Sequence, residues 1–396
     1  MEDVRKVTLV LVDSAGVVLG ELPPFEVAVP YWPEVDVVVN GARQLHGAEV
    51  TVLRLLHADR PRPHGGAVTY LAQLDGEPPA GLQSTSFRPV PHPRRAPFAE
   101  VGGPAETIAW GLGAISRLGF GTPEEILQRK TWNLAALWRL DGAAGSPLWL
   151  KHLPPFLRAE SDLLAWLGAV APGAAPPLLA ADGTGRQLLG HLPGEDGFGA
   201  PAAARHAMVD LLHGVQVRAL ADVEHLAGLG VRDRRGAWLR EEIVVAAEPW
   251  LGEIFGLDAV VHGLPERLAA VAACRLPDTL VHGDFHPGNV RFSATVPPAV
   301  LDWGDAFLGN PAFDILAVCE GLAPDEADAL VEHWAGRWRE AAPGSDPVEA
   351  VRLLRPVAPL LSAVVYAGFV HNIEPSEWPY HAEDVPTCLR TAVTLA

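Results

Sequence analysis

The chain has 396 residues, of which 49% are hydrophobic and 20% are charged. This length exceeds one ordinary domain of roughly 100–200 residues, and the composition supports a sizeable core, so disorder along the whole chain is excluded. The 48 acidic residues outnumber the 30 basic ones and give a net charge of -18. An acidic surface repels phosphate backbones and anionic lipids, so we expect neither a nucleic acid nor a membrane as partner, whereas a cationic small substrate is compatible with it.

The cysteines and the apolar stretches indicate the compartment. Cys274, Cys319 and Cys388 lie far apart and form no CxxC pair, which predicts neither a disulfide framework nor a zinc site. The first residues are charged and show no signal-peptide pattern. The longest apolar stretch, residues 357–370, is too short to cross a bilayer of about 30 Å as a helix. We therefore expect a cytoplasmic protein.

Residues 1–75 have the pattern of a small, β-rich α/β domain. Residues 32–45 fit one helix, and β-branched and apolar residues predict strands at 7–12, 17–19, 50–56 and 67–74. This order loosely resembles the start of a Nudix domain, a family that holds Mg²⁺ with several glutamates. Only Glu34 and Asp36 stand near the corresponding place. We therefore expect an accessory domain, with a degenerate Nudix-like domain as the alternative.

The next part of the chain changes in composition. Residues 76–104 are rich in proline, glycine and arginine, which is typical of a linker or an extended wrap. A segment with strand patterns follows at 105–192, and a mostly helical segment follows at 193–396. The sequence therefore predicts an accessory domain, a linker, a β-rich lobe and a helical lobe.

The β-rich lobe carries two charged residues at defined places. Lys151 ends an apolar run, and Glu160 falls on the inward face of the helix that follows. A carboxylate on an inward stripe needs a cation, so we expect Glu160 to pair with Lys151. A strand-end lysine that only reaches out to solvent is the alternative. Upstream, residues 126–140 are typical of strand, turn and strand, with the turn predicted at 130–133. This turn could lie over the phosphates of a nucleotide, and a bare surface hairpin is the alternative.

The most informative stretch is His282-Gly-Asp-Phe-His-Pro-Gly-Asn289, with Asp302 further on. Residues 290–292 and 300–301 fit a short hairpin, which would bring Asn289 and Asp302 together. An amide carbonyl and a carboxylate are hard oxygen ligands of the kind that Mg²⁺ prefers. Asp284 precedes Asn289 at the spacing found in the catalytic loop of protein kinases, where an aspartate orients the nucleophilic hydroxyl.

The block 282–289, together with Leu301-Asp-Trp-Gly-Asp-Ala-Phe-Leu-Gly-Asn-Pro-Ala-Phe-Asp314, resembles the two signature blocks of the aminoglycoside phosphotransferase family. The wider relatives of that family include choline kinase and other small-molecule kinases. The resemblance covers about residues 105–396. It implies an α+β, bilobal protein-kinase-like fold, with a β-rich N-lobe and a helical C-lobe, to which the small N-terminal α/β domain is added.

The resemblance also implies roles for individual residues. His282 is expected to be a structural loop residue beside the catalytic Asp284, and Asp314 a buried carboxylate that braces the loop. Asn289 and Asp302 are expected to bind the metal. The expected cofactors are Mg²⁺ and ATP, with GTP as the alternative nucleotide. The residues expected to contact the nucleotide are Lys151 with its partner Glu160, Lys130 and Thr131 over the phosphates, and Leu189 and His191 at the hinge between the lobes.

The acceptor site is less defined by the sequence. Relatives hold the acceptor with helices and tails of the C-lobe, which makes Glu320, Glu374 and Glu377 hypothetical contacts for substrate amines, with solvated carboxylates as the alternative. The expected function is transfer of the γ-phosphate of ATP or GTP to a hydroxyl of a small molecule. The alternatives are a kinase of a sugar or choline-like metabolite on the same fold and a catalytically silent nucleotide-binding module.

Overall fold

The computed structural model describes residues 4–396, and for Ala202 it describes the backbone alone. The chain divides into two compact units, each made of separate segments. The first unit contains the residues up to Arg158, Leu179–His191 and Gly368–Glu383. The second unit contains Ala159–Leu178, Leu192–Ala367 and Asp384–Ala396.

The N-terminal part of the first unit is a sheet with one helix. Its elements are β1 (Arg5–Val12), β2 (Val18–Glu21), β3 (Phe25–Val27), α1 (Asp36–His46), β4 (Glu49–Ala58) and β5 (Gly66–Asp75). The strand order is β2-β1-β5-β4, and β3 also pairs with β1. Strands β1 and β5 are parallel, and the other pairs are antiparallel. The strands predicted for residues 1–75 are therefore present.

Both faces of this sheet are covered, because successive side chains of a strand point to opposite faces. Val7, Leu9 and Leu11 of β1 enter one apolar cluster, whereas Val10 and Val12 enter another. The helix predicted at 32–45 begins later than expected, at Asp36. The preceding residues run alongside residues 129–131 instead. Thr131 N donates to Pro33 O at 3.0 Å, and Val35 N donates to Arg129 O at 3.1 Å.

A second sheet and one helix complete the main body of the first unit. Its elements are α2 (Gly103–Arg117), β6 (Glu125–Trp132), β7 (Ala135–Asp141), β8 (Leu148–His152), β9 (Leu178–Ala181) and β10 (Arg186–Gly190). The strand order is β6-β7-β8-β10-β9. Helix α2 packs closely on this sheet, since a Cβ added to Gly111 would lie 2.9 Å from the Leu150 side chain.

The turn expected at residues 130–133 lies further along the chain, at Asn133 and Leu134. Strand β6 continues through Trp132 because its outer edge is paired: Thr131 N donates to Pro33 O at 3.0 Å. The side chain of Gln128 extends this connection to β4, where it bonds both backbone groups of Val52. The N-terminal sheet and the second sheet are thus joined by backbone and side-chain hydrogen bonds within one unit.

The proline-rich segment before α2 contacts the rest of the first unit at two places. Gln83 and Glu21 exchange two backbone hydrogen bonds of 2.8 and 2.9 Å. Phe98, in the 3-10 turn Pro97–Ala99, is buried in the same apolar cluster as Leu150.

The segment Gly368–Glu383 belongs to the first unit, although the sequence assigned it to the helical C-lobe. Tyr380 is buried in the N-terminal apolar cluster, with its ring 5.8 Å from that of Trp32. Asn133 Nδ2 lies 2.8 Å from His381 Nε2. Burial of these side chains in a core formed by residues far away in the chain explains the difference.

The second unit is mainly helical. Its helices are α3 (Glu160–Val170), α4 (Ala202–Ala219), α5 (Val223–Gly228), α6 (Ala237–Ala247), α7 (Leu257–Ala273), α8 (Ala312–Val318), α9 (Pro324–Ala341), α10 (Pro347–Leu354), α11 (Ala358–Asn372) and α12 (Asp384–Leu395). The last residues of α11, from Gly368 on, belong to the first unit. No single helix in the described part of the chain has the length and apolar character needed to cross a membrane, although α10 and α11, bent by 58°, meet those criteria as a pair.

Six short strands form two small sheets in the second unit. They are β11 (Glu195–Asp196), β12 (Arg232–Asp233), β13 (Thr279–Val281), β14 (Val290–Phe292), β15 (Ala299–Val300) and β16 (Phe307–Gly309). One sheet has the order β11-β14-β15, and the other has the order β12-β16-β13. The hairpin predicted around residues 290–301 is therefore present, and the mixture of helices and sheets confirms the α+β class.

Candidate active site

The loop between β13 and β14 carries three of the residues singled out by the sequence, His282, Asp284 and Asn289. The buried strand β13 ends at Val281, and the loop then passes through Gly283 and a 3-10 turn, Pro287–Asn289. Gly283 has φ +85, and a Cβ there would lie 2.4 Å from Asp305 O. Only glycine combines that backbone conformation with so close an approach.

Asp314 fixes the start of this loop. Its carboxylate accepts hydrogen bonds from the backbone N–H groups of His282 (2.9 Å) and Gly283 (3.1 Å) and from the side-chain amide of Gln216 (2.9 Å). Burial raises the pKa of Asp314 to about 7, against the opposing effect of these donors. These bonds connect the start of the loop to α8, which carries Asp314.

His282 connects the loop to the hairpin. It is fully buried, and burial lowers its pKa, so its ring is neutral. Its Nδ1 accepts from Asp284 N at 3.3 Å, which leaves Nε2 to donate to Leu301 O at 2.8 Å. The ring therefore acts as a spacer between the two parts of the site.

Asp284 lies at the surface of the second unit, with 53% of its side chain exposed. The side-chain amide of Asn289 donates to its Oδ2 at 2.8 Å, and His286 Nε2 lies 3.5 Å from the same oxygen. Desolvation raises the pKa of Asp284, but the hydrogen bonds from His286 and Asn289, with the nearby histidine rings, hold it below its ordinary value. Asp284 is thus an oriented, ionised carboxylate at neutral pH.

The hairpin brings Asn289 next to the segment that contains Asp302. Val290 pairs with Val300, and Leu301 N donates to Asn289 O at 2.7 Å. Asp302 follows with φ 55, in the left-handed region that few residues other than glycine adopt. Holding an aspartate there costs about 1–3 kcal/mol, a strain that is typical of functional sites.

Asn289 and Asp302 carry side-chain oxygens of the kinds that Mg²⁺ prefers, an amide oxygen and a carboxylate. Because the Asn289 amide nitrogen is used on Asp284, its carbonyl oxygen is the atom left for a cation. Among residues 4–396, no set of three or more His, Cys, Asp or Glu side chains is arranged to hold a metal ion. One amide and one carboxylate suit Mg²⁺, which keeps several waters and also binds phosphate oxygens.

Asp305, a half-buried carboxylate near the loop, was not expected from the sequence to take part in the site. Burial, with the charge of Asp284, raises the pKa of Asp305 to about 7, and its Oδ1 has no hydrogen-bond partner among the described residues. Arg232 and Arg234 compensate part of this negative charge. Asp305 stands close to Asp302 in sequence, but the arginines come from β12 and the residue after it, so no local pattern connects them.

The residues expected to bind the nucleotide lie mainly in the first unit. Lys151 is in β8 with a largely buried side chain, and Leu189 is near the end of β10. His191 follows β10, and its Nδ1 accepts from Trp149 Nε1 at 3.3 Å. Glu160, the expected partner of Lys151, lies in the second unit and accepts from Trp303 N at 3.0 Å, directly after Asp302.

The expectation for Thr131 requires a correction. Thr131 is buried within β6 rather than exposed in a turn. Its hydroxyl accepts from Gln128 Nε2 at 2.6 Å and donates to Lys130 O at 2.8 Å. Lys130 is half-buried on the same strand. A hydroxyl with both its donor and its acceptor functions used inside the sheet is not positioned to bind phosphate.

The three glutamates proposed as acceptor contacts have different surroundings. Glu320, two residues after the end of α8, is exposed; desolvation and the charge of Asp284 raise its pKa. Glu374 and Glu377 are buried in the first unit instead. Glu374 pairs with Arg54 (3.2 Å) and Arg95 (2.9 Å). The acceptor role expected for Glu374 and Glu377 is therefore corrected, because both are buried and Glu374 is neutralised by two arginines.

Comparison with known proteins agrees with this kinase-type loop and hairpin. A family model described as the phosphotransferase enzyme family matches residues 133–350. This match covers more than half of the chain, and the chain belongs to that family. The recognition made from the sequence is thereby confirmed, together with the class of enzyme, a small-molecule kinase.

Two solved structures show the same fold. The macrolide 2'-phosphotransferase of Brachybacterium faecium is 20% identical to this chain, with a TM-score of 0.51. The superposition covers 70% of this chain and 97% of the macrolide phosphotransferase. The choline kinase of Streptococcus pneumoniae is 13% identical to this chain, with a TM-score of 0.52. The superposition covers 73% of this chain and 99% of the choline kinase. The protein-kinase-like fold class is confirmed.

One curated relative also matches in sequence. The N-acetylmuramate/N-acetylglucosamine kinase of Pseudomonas putida is 33% identical over 120 residues, which are 29% of this chain. The match spans about a third of that relative, 35% of its length.

Proposed function

We propose that the protein transfers the γ-phosphate of ATP to a hydroxyl group of a small molecule. The observation that supports the proposal concerns the Asp284 carboxylate. The neighbouring side-chain N–H groups of Asn289 and His286 are both directed at its Oδ2. Oδ1 is then the oxygen that accepts the hydrogen of an incoming hydroxyl. Orientation of the nucleophile is the main task of a kinase aspartate, since phosphoryl transfer needs little covalent chemistry from the protein.

The lowered pKa of Asp284 defines its role in the step. A weakly basic carboxylate does not remove a hydroxyl proton before attack, so Asp284 first orients the acceptor. The acceptor oxygen then bonds to the γ-phosphorus while the bond from that phosphorus to the bridging oxygen of ADP breaks. The hydroxyl proton passes to Asp284 Oδ1 as the negative charge moves to ADP.

The proposed metal ligands are Asn289 and Asp302. When bound, Mg²⁺ supplies positive charge to the β- and γ-phosphate oxygens. The protein's part is to hold an amide oxygen and a carboxylate in place through the hairpin, and the left-handed backbone of Asp302 supports this assignment.

Lys151 is proposed to hold the α- and β-phosphates, with Glu160 as its partner. A largely buried lysine on a strand supports this role, because a buried ammonium requires an anionic partner. The hydrogen bond from Trp303 N to Glu160 supports a link between α3 and the Asp302 segment. We propose ATP as the donor, with GTP as the alternative, and Leu189 and His191 as the residues beside the base.

Binding and transfer assays test this function. Thermal unfolding is measured with and without MgATP, and labelled ATP is then offered with N-acetylglucosamine, N-acetylmuramate, choline and an aminoglycoside as acceptors. We expect MgATP to raise the melting temperature and at least one acceptor to become labelled; GTP is compared in both assays. The absence of both stabilisation and transfer would contradict the proposal, whereas stabilisation without transfer would favour a silent nucleotide-binding module.

A further inference from the structure

Phe198 is a large apolar side chain left exposed beside the catalytic loop. The fraction of its surface that is exposed is 73%. It lies in the short segment between β11 and α4, within the second unit. Covering such a ring with a ligand is favourable, because apolar surface leaves water.

The segment that carries Phe198 is fixed to the catalytic loop. Gly197 N donates to both Pro287 O (2.9 Å) and Val290 O (3.1 Å), and β11 pairs with β14. A Cβ on Gly197 would lie 2.6 Å from the ring of Phe292 and 2.8 Å from Pro287 O, so the approach depends on glycine. The exposed ring is therefore held in a defined position.

The ring itself packs on two residues of the loop. Its centroid lies 5.7 Å from that of His286, with the planes tilted by 36°. A Cβ added to Gly288 would lie 2.3 Å from the Phe198 ring, so Gly288 leaves the space that the ring uses. These neighbours cover only a small part of the ring.

His286 links this ring to the reacting group. Its Nδ1 accepts from Gly288 N at 3.1 Å, which assigns the hydrogen to Nε2, 3.5 Å from Asp284 Oδ2. Phe198 is thus separated from the catalytic carboxylate by one imidazole. A molecule that contacts Phe198 and places a hydroxyl at Asp284 would therefore also lie beside His286.

We infer that Phe198 and His286 form a platform on which a pyranose sugar lies, its C–H face on the phenyl ring and one hydroxyl directed to Asp284. The axial C–H groups of such a ring carry small positive charges that suit the negative face of an aromatic ring. The His286 imidazole, whose N–H is directed at Asp284, adds a second aromatic ring beside the phenyl ring.

A quaternary ammonium acceptor is the competing class, because cations also bind to aromatic faces. The platform has one phenyl ring and one imidazole, whereas such cations are recognised by cages of several aromatic rings. The 120-residue similarity to an N-acetylmuramate/N-acetylglucosamine kinase also favours a sugar. The inference rests on the proposed function, since it names the acceptor of the same site.

Direct sugar binding tests the platform without the need for turnover. Saturation-transfer NMR with N-acetylglucosamine and N-acetylmuramate is carried out on the wild type, Phe198→Ala, Phe198→Tyr and Phe255→Ala. Phe255 is 99% exposed in the same unit and serves as the matched control. We expect Phe198→Ala to weaken sugar binding about tenfold or more, as for loss of a buried aromatic contact. Phe198→Tyr and Phe255→Ala should bind like the wild type.

Kinetics with the sugar that binds give the second readout. We expect Phe198→Ala to raise the KM for the sugar with little change in kcat or in the KM for MgATP. No binding of either sugar by the wild type, equal binding by Phe198→Ala, or a rise in the KM for MgATP alone would overturn the inference, as would phosphorylation of choline with no activity on either sugar. Failure of the proposed function is seen separately, as the absence of stabilisation by MgATP.

Discussion

The side-chain amide of Asn289 donates to both the backbone oxygen and Oδ2 of Asp284, at 3.0 and 2.8 Å. These bonds tie the proposed catalytic carboxylate to a proposed metal ligand through a single side chain. They also leave the Asn289 carbonyl oxygen and Asp284 Oδ1 for other partners. The position of the acceptor hydroxyl and that of the metal would then be set by the same short loop.

Replacing Asp284 by alanine tests the orienting role. We expect kcat to fall by about 10²–10⁴-fold or more, because the acceptor hydroxyl loses its hydrogen-bond partner. The dissociation constant for MgATP, measured by titration calorimetry, should change little. Near-wild-type phosphorylation by Asp284→Ala would contradict the assignment of this residue.

Replacing Asp302 by alanine tests the metal site. We expect ATP to bind the wild type more tightly with Mg²⁺ than without it, and this difference to be lost in Asp302→Ala. Titration calorimetry with and without Mg²⁺ measures both effects. Asp325→Ala, which removes an exposed carboxylate at the start of α9, is the control and should keep the metal effect. The same metal dependence in Asp302→Ala and wild type would rule out this ligand.

Replacing Glu374 by alanine tests the buried ion cluster of the first unit. Arg54 and Arg95 are both buried against Glu374, so its loss leaves two charges without their main partner. We expect the free energy of unfolding to fall by about 3–5 kcal/mol, measured by urea denaturation. Glu100→Ala removes an exposed partner of Arg95 and should cost less than about 1 kcal/mol. Equal effects of the two substitutions would show that the cluster does not anchor segment 368–383.

The buried ring of His381 gives a pH prediction. Burial lowers its pKa from 6.5 to about 3, so the unfolded chain binds a proton that the folded chain does not. Its contribution to stability is complete above pH 6.5 and is lost as the pH falls, by about 1.4 kcal/mol per pH unit. Between pH 7 and pH 5 the wild type should therefore lose more stability than His381→Gln, measured by urea denaturation. Parallel pH profiles would contradict a buried, neutral His381.

The sequence was sufficient for the catalytic loop and hairpin. His282, Asp284, Asn289 and Asp302 lie within a short stretch of chain, so strand signals and turn residues place them relative to one another. The strands of residues 1–75 were found for the same reason, because alternation of apolar residues is a local signal. The roles of these residues, and the pairing of Lys151 with Glu160, stay predictions.

Sequence by itself determined the family, the fold class and several of the strands, since these depend on motifs and periodicity within short windows. Only the tertiary structure decided that segment 368–383 packs with the N-terminal sheet, that Glu374 is held by Arg54 and Arg95, and that Thr131 is used inside β6. Such contacts join residues far apart in the chain, and whether a carboxylate or a hydroxyl is buried or exposed depends on those distant partners rather than on its neighbours in sequence.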